Sequence, residues 1–93
     1  MSTTNGDPTG DQNAAGIAFM RTEVSVGLEF AELASGAGDQ TQKRERNRAN
    51  AQKAYDSLMK FLPRLSLTPA ESSELNSGVE QLRLAIAAIP AAD

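Results

Sequence analysis

Oily side chains return at helical intervals in three segments between Ala14 and Ile89. The cleanest pattern is the last. Leu75, Val79, Leu82, Ile86 and Ile89 are spaced four, three, four and three residues apart, which places them on one stripe of a helix. Leu84 falls on the opposite side, where exposure is expected. Heptad spacing also suits a coiled coil, but over so few heptads it favours burial against neighbouring helices. The tetrapeptide TPAE, 68–71, marks the start of this segment. The Thr68 hydroxyl is placed to accept from the Glu71 amide, and the Glu71 carboxylate from the Thr68 amide. Pro69 takes the first helical position, where its missing donor does no harm. Pro90 lies beyond the expected end near Ile89.

The middle segment, from about Asp39 to Leu62, carries Ala51, Ala54, Tyr55, Leu58 and Leu62 on one face. Continued toward the N-terminus, that face meets Asn47, Arg48 and Arg44, so its first turns lack an apolar stripe. Pro63 marks its end. The first segment reads two ways. Val24, Val26, Leu28 and Phe30 alternate with Ser25, Gly27 and Glu29, as in a strand. Ile17, Met20, Val24, Leu28 and Ala31 also form a helical stripe. The flanks AAGIAFM and FAELA favour helix, and a lone strand has no partner in this chain. As a helix it carries a second stripe, Phe19, Val26, Phe30 and Leu33, about half a turn from the first.

The segment SGAG, 35–38, breaks the chain with two glycines suited to a helix C-cap and turn. The pattern therefore predicts an all-α fold: an up-down-up three-helix bundle, a helical hairpin plus a third helix. Residues 1–12 hold nothing to bury and read as a flexible, disordered N-terminal tail, leaving 13–93 as one domain. Helix 1 is apolar on two sides, more than a three-helix bundle needs. The surplus is expected to face a second copy, a partner helix or part of an ordered tail.

Composition narrows the picture. Only 4% of the 93 residues are aromatic, so the core must come from aliphatic side chains and alanine, a mixture that favours helix over sheet. The absence of Cys and His excludes thiolate and imidazole nucleophiles and most zinc sites. The N-terminus has no basic residue followed by an apolar core, unlike a secretory signal, and no apolar run reaches membrane-spanning length. A soluble, cytoplasmic protein with no membrane contact is expected.

The net charge is −3, yet QKRERNRANAQKAY, 42–55, packs Lys43, Arg44, Arg46 and Arg48 into six residues. Four cations are enough for weak, salt-sensitive nucleic-acid binding. Against that reading, Glu45 and Asp56 interrupt the field, no aromatic is interleaved to stack on bases, and the chain is acidic overall. Arg46, Lys53 and Lys60 share one side at seven-residue spacing, while Arg44 and Arg48 lie elsewhere. A structural role is the simpler expectation. A hairpin about Gly36 and Gly38 would bring Glu29 and Glu32 toward Lys43, Arg44 and Arg48. Asp39 with Lys43 and Asp56 with Lys60 would add i, i+4 pairs.

No catalytic constellation stands out, and neither a metal site nor a cofactor is expected. Glu29 and Glu32 are three apart on one helix, but a carboxylate metal site in a bundle normally adds His and further inward acids. Glu71 and Glu74 suit the first turn of helix 3, where the dipole favours anions. Gly36-Ala-Gly38 lacks the pattern of a phosphate loop. Tyr55 fits a core position with its hydroxyl at the edge.

The segment ANAQKAYDSLMKFLP resembles the second helix of a tetratricopeptide repeat, with Ala51, Tyr55 and Pro63 at that repeat's small, aromatic and proline positions. Gly27 and Phe30 resemble the small and aromatic positions of its first helix. Leu58 stands where a small residue is expected, and the linker is about a dozen residues longer than the repeat's. Residues 17–89 also look like a group of short bacterial helical proteins of unassigned activity with an A-x-KAY…FLP…LT…E pattern. The matching residues are Ala51, Lys53, Ala54, Tyr55, Phe61, Leu62, Pro63, Leu67, Thr68 and Glu71. Both resemblances imply a helical hairpin plus a third helix, and the first leans toward protein binding. The expected function is a non-enzymatic interaction or self-association module that meets a protein partner or second copy through Phe19, Val26, Phe30 and Leu33. The alternative is a weak nucleic-acid binder using Lys43, Arg44, Arg46 and Arg48.

Overall fold

A computed structural model describes residues 8–91, and three α-helices dominate them. Helix α1 spans Pro8–Ser35, α2 Thr41–Phe61 and α3 Pro69–Ala87, with a short 3-10 turn, Leu62–Arg64, after α2. There is no strand among the described residues. The region 24–30 is helical, so its apolar alternation comes from two helical stripes, not from a pleat.

Helix α1 starts six residues before Ala14 and takes in residues 8–12 of the expected tail. Residues 1–7 of that tail lie outside the described residues. Extending a formed helix costs far less than starting one, and the early turns of α1 have an anchor. Asn13 donates from Nδ2 to the Ser66 carbonyl at 2.8 Å and accepts from the Ser66 amide at 2.7 Å. The other end of α1 stops where expected. The Gly36 amide bonds the Glu32 carbonyl, and Gly38 turns the chain with φ of +62°, a region that only glycine enters without strain. At the start of α3 the reciprocal Thr68–Glu71 capping box is present, with Pro69 in the first turn. Helix α3 ends at Ala87, slightly before the expected Ile89, and Ile89 turns back to become buried.

The core has two parts. Around Ile17, Met20, Ala54, Leu58, Leu75 and Leu82, large aliphatics from all three helices meet. Toward the hairpin it narrows to Ala31, Ala34 and Ala51 under Ile89. The small residues let α1 and α2 approach closely. A Cβ on Gly27 would stand 2.7 Å from Leu82 Cδ2 and 3.0 Å from the Ala54 Cβ, so Gly27 lies where the three helices crowd together. The third helix closes on α1 in the same way: a Cβ on Gly78 would stand 2.9 Å from Val24 Cγ1. At the rim, Arg21 reaches across to Glu74 through two bonds of 2.8 and 2.9 Å. The guanidinium hydrogen bond holds the Glu74 carboxyl below its ordinary range. Both groups are solvent-exposed, so the pair orients the helices more than it stabilises them.

Three substitutions test this packing. Leu82→Ala removes a fully buried side chain and is expected to cost about 2–5 kcal/mol, read as a large fall in the thermal midpoint. Gly27→Leu gains helix propensity but must displace Leu82 and Ala54. Overpacking of about 1–3 kcal/mol exceeds the propensity gain of about 1 kcal/mol, so its midpoint falls. Gly36→Ala, whose added Cβ meets only the Glu32 carbonyl at 3.5 Å, leaves the midpoint close to that of the parent.

Candidate functional site

The basic stretch at the start of α2 divides into two sets. Arg44 is only 7% exposed. Its Nη1 donates to the Gly38 carbonyl at 2.8 Å, which ties α2 to the turn after α1. Its Nε has no hydrogen-bond partner and lies 3.6 Å from Glu45 Oε2. Beside it, Asn47 is buried and donates to the Lys43 carbonyl. Arg48 pairs with Glu45 at 3.2 Å and donates to the Pro90 carbonyl at 2.6 Å, which pins the segment after α3. Arg44 and Arg48 are therefore structural, though not through the partners expected. Glu29 and Glu32 meet none of the cations. They are exposed and line a groove with Ala85 and Ala88, because on α1 they lie toward α3 and away from α2. Asp39 and Lys43 form no ion pair, nor do Asp56 and Lys60. Asp56 accepts instead from Gln52, and the Lys60 ammonium lies 5.4 Å from the centre of the Phe61 ring.

The second set comprises Lys43, Arg46, Lys53, Lys60 and Arg64, none ion-paired with a carboxylate among the described residues. At 100° per residue these five fall within about 100° of arc on α2 and its continuation. That arc lies opposite Arg48 and Tyr55, which face α3. The heptad spacing of Arg46, Lys53 and Lys60 is the sequence signal for this row. Arg64 and Lys43 extend it at either end.

The second apolar stripe of α1 borders the same side of the α1–α2 pair. Phe19 is 50% exposed and Leu33 49%. Val26 and Phe30 between them are half-buried, and Phe30 also packs against the alanine-rich part of the core. The four residues expected to meet a partner thus divide into two exposed ends and two half-buried middle positions, of which Phe30 also packs on the core. Near the Phe19 end lies a hollow of about 200 Å³ lined by Gly16, Phe19, Met20, Phe61, Arg64 and Leu65. Its lining is almost wholly apolar. A Cβ at Gly16 would come within 2.6 Å of Leu65 Cδ2, so the glycine lets the Leu65 side chain lie close against α1. The guanidinium of Arg64 stands 5.5 Å from the Phe61 ring centre, at the edge of the hollow. Periodicity alone did not show this hollow, because it depends on how the 3-10 turn returns Leu65 to α1.

Among the described residues no three carboxylates come together to hold a metal ion, and no helix is long and apolar enough to cross a membrane. No family model, curated protein or solved structure matches this chain.

The split of the basic stretch is directly testable. Arg44→Ala removes a buried, charge-assisted bond to Gly38 and is expected to cost about 1.5–3 kcal/mol. Arg46 has no ion-pair partner among the described residues, and Arg46→Ala is expected to leave the melting curve unchanged. Thermal unfolding followed by circular dichroism separates the two.

Proposed function

We propose that the protein is a small non-enzymatic interaction module that engages a protein partner or a second copy of itself across the outer α1–α2 face. The observation carrying this reading is the half-exposed pair Phe19 and Leu33, bracketing Val26 and Phe30 on a flank of α1 away from α3. Scattered exposed apolar residues are ordinary, but a contiguous stripe beside a hollow is the usual form of a helix-docking surface. The likeness of α2 to a tetratricopeptide helix points the same way. The nucleic-acid alternative is weakened by the engagement of Arg44 and Arg48 within the fold.

The test is a paired substitution on the exposed ends, Phe19→Ser with Leu33→Ser. The double variant is expected to fold as the parent does, because neither side chain belongs to the buried core. Sedimentation velocity over a dilution series, alone and with candidate partners, is expected to show association for the parent and its loss in the variant. Association that is identical in both proteins overturns the assignment of this face.

A further inference from the structure

We infer that the occupant of the outer α1–α2 face is an acidic amphipathic helix, which seats one large apolar side chain in the hollow beside Phe19 and sets its carboxylates along the cations of α2. This deepens the interaction reading above and rests on it.

The inference comes from charge. The chain carries nine cations against twelve acids, an excess of acid. Four cations are committed inside the fold or at its rim: Arg21 to Glu74, Arg44 to Gly38, Arg48 to Glu45 and Pro90, and Arg83 to Glu80. The other five lie along the outer flank of α2 and, with Arg64, the turn that follows it. Three carboxylates border that flank: Glu23 on α1, Asp56 one turn from both Lys53 and Lys60 on α2, and Asp39, which lines a separate hollow with Lys43 and Arg46, so the cations outnumber the acids five to three. A negatively charged protein that gathers, beside an apolar stripe, the cations that have no carboxylate partner among its described residues presents a surface complementary to apolar side chains flanked by acids.

The same charge argues against a second copy. In a two-fold dimer the same patch meets itself, so a patch with five cations and three acids would face an identical net-positive patch. Like charges brought together across an interface are costly. The geometry suits a helix in a groove. Phe19, Val26, Phe30 and Leu33 step by seven, four and three residues and extend over about 21 Å, the length of about four helical turns. The hollow is nearly free of polar lining, and it offers an apolar seat for a single aromatic or aliphatic anchor, the kind of contact that contributes most to affinity once the partner covers it. Arg64 at its edge is positioned for a carboxylate next to that anchor.

The experiment uses the full chain and two labelled peptides of about four turns with identical leucine positions at i, i+4 and i+7. One carries Glu at the flanking positions and the other Lys. By fluorescence anisotropy the Glu peptide is expected to bind, more weakly as salt is raised, and about tenfold or more tighter than the Lys peptide. Amide shifts on binding are expected to cluster at Phe19, Val26, Leu33 and Lys53. Phe19→Ala and Lys53→Glu, both surface changes, each weaken binding by about tenfold with an unchanged melting curve.

Equal binding of the two peptides overturns the inference. So does binding of phosphatidylserine vesicles or a single-stranded oligonucleotide in the absence of Glu-peptide binding, or dimerisation through Phe19 that excludes the peptide. If the Lys peptide or a second copy binds and Phe19→Ala abolishes it, only the acidic partner is lost and the interaction reading stands. If neither peptide nor a second copy moves the Phe19 amide, both fall.

Discussion

The close approach of α1 to α2 governs the rest of the molecule. Gly27, Ala31 and Ala34 on one helix and Ala51 and Ala54 on the other are too small to hold the backbones apart, and a Cβ added at Gly27 has no free space. Two antiparallel helices packed this tightly leave a groove on each side. Helix α3 fills one, laying Leu75 and Leu82 onto the larger core and drawing Gly78 against Val24. The other groove is left to the second stripe of α1 and the cation row of α2. The uncovered face thus follows from a three-helix count imposed on a hairpin with two sides.

The polar residues at the hairpin end compensate for what alanine cannot provide. Alanine packing buries little apolar area, and the negative end of α1 lies near the start of α2. Arg44 meets both needs, because its stem fills space and its guanidinium binds the Gly38 carbonyl. Arg48 serves the other side by holding the Pro90 carbonyl, while Ile89 caps the alanines. A helix start that looks unsupported in an apolar count is therefore held by two arginines acting on backbone carbonyls.

The helices, their punctuation and most of the core were legible in the sequence because each depends on local spacing. The α3 stripe, the Thr68–Glu71 box and the glycine turn all lie within a few residues of their partners. What could not be read depends on contacts distant in sequence. Arg44 and Arg48 were recognisable as structural, but their partners were not, because a backbone carbonyl has no residue-type signature. The pairing of Glu29 and Glu32 with the basic stretch failed on helical angle: both lie toward α3. The second stripe of α1 was visible as a pattern, whereas its division into exposed ends and a partly buried middle required α2 in place. The hollow needed the path of the connector after α2.

That connector gives the hollow a particular character. One wall, Leu65, belongs to no regular helix, and its position follows from the two-way amide clasp between Asn13 and Ser66, which joins residues 53 apart in sequence. Both bonds are solvent-exposed, so the clasp can release by local opening at far less cost than unfolding the bundle. One side of the hollow thus depends on two exposed hydrogen bonds rather than on the packed core of the bundle.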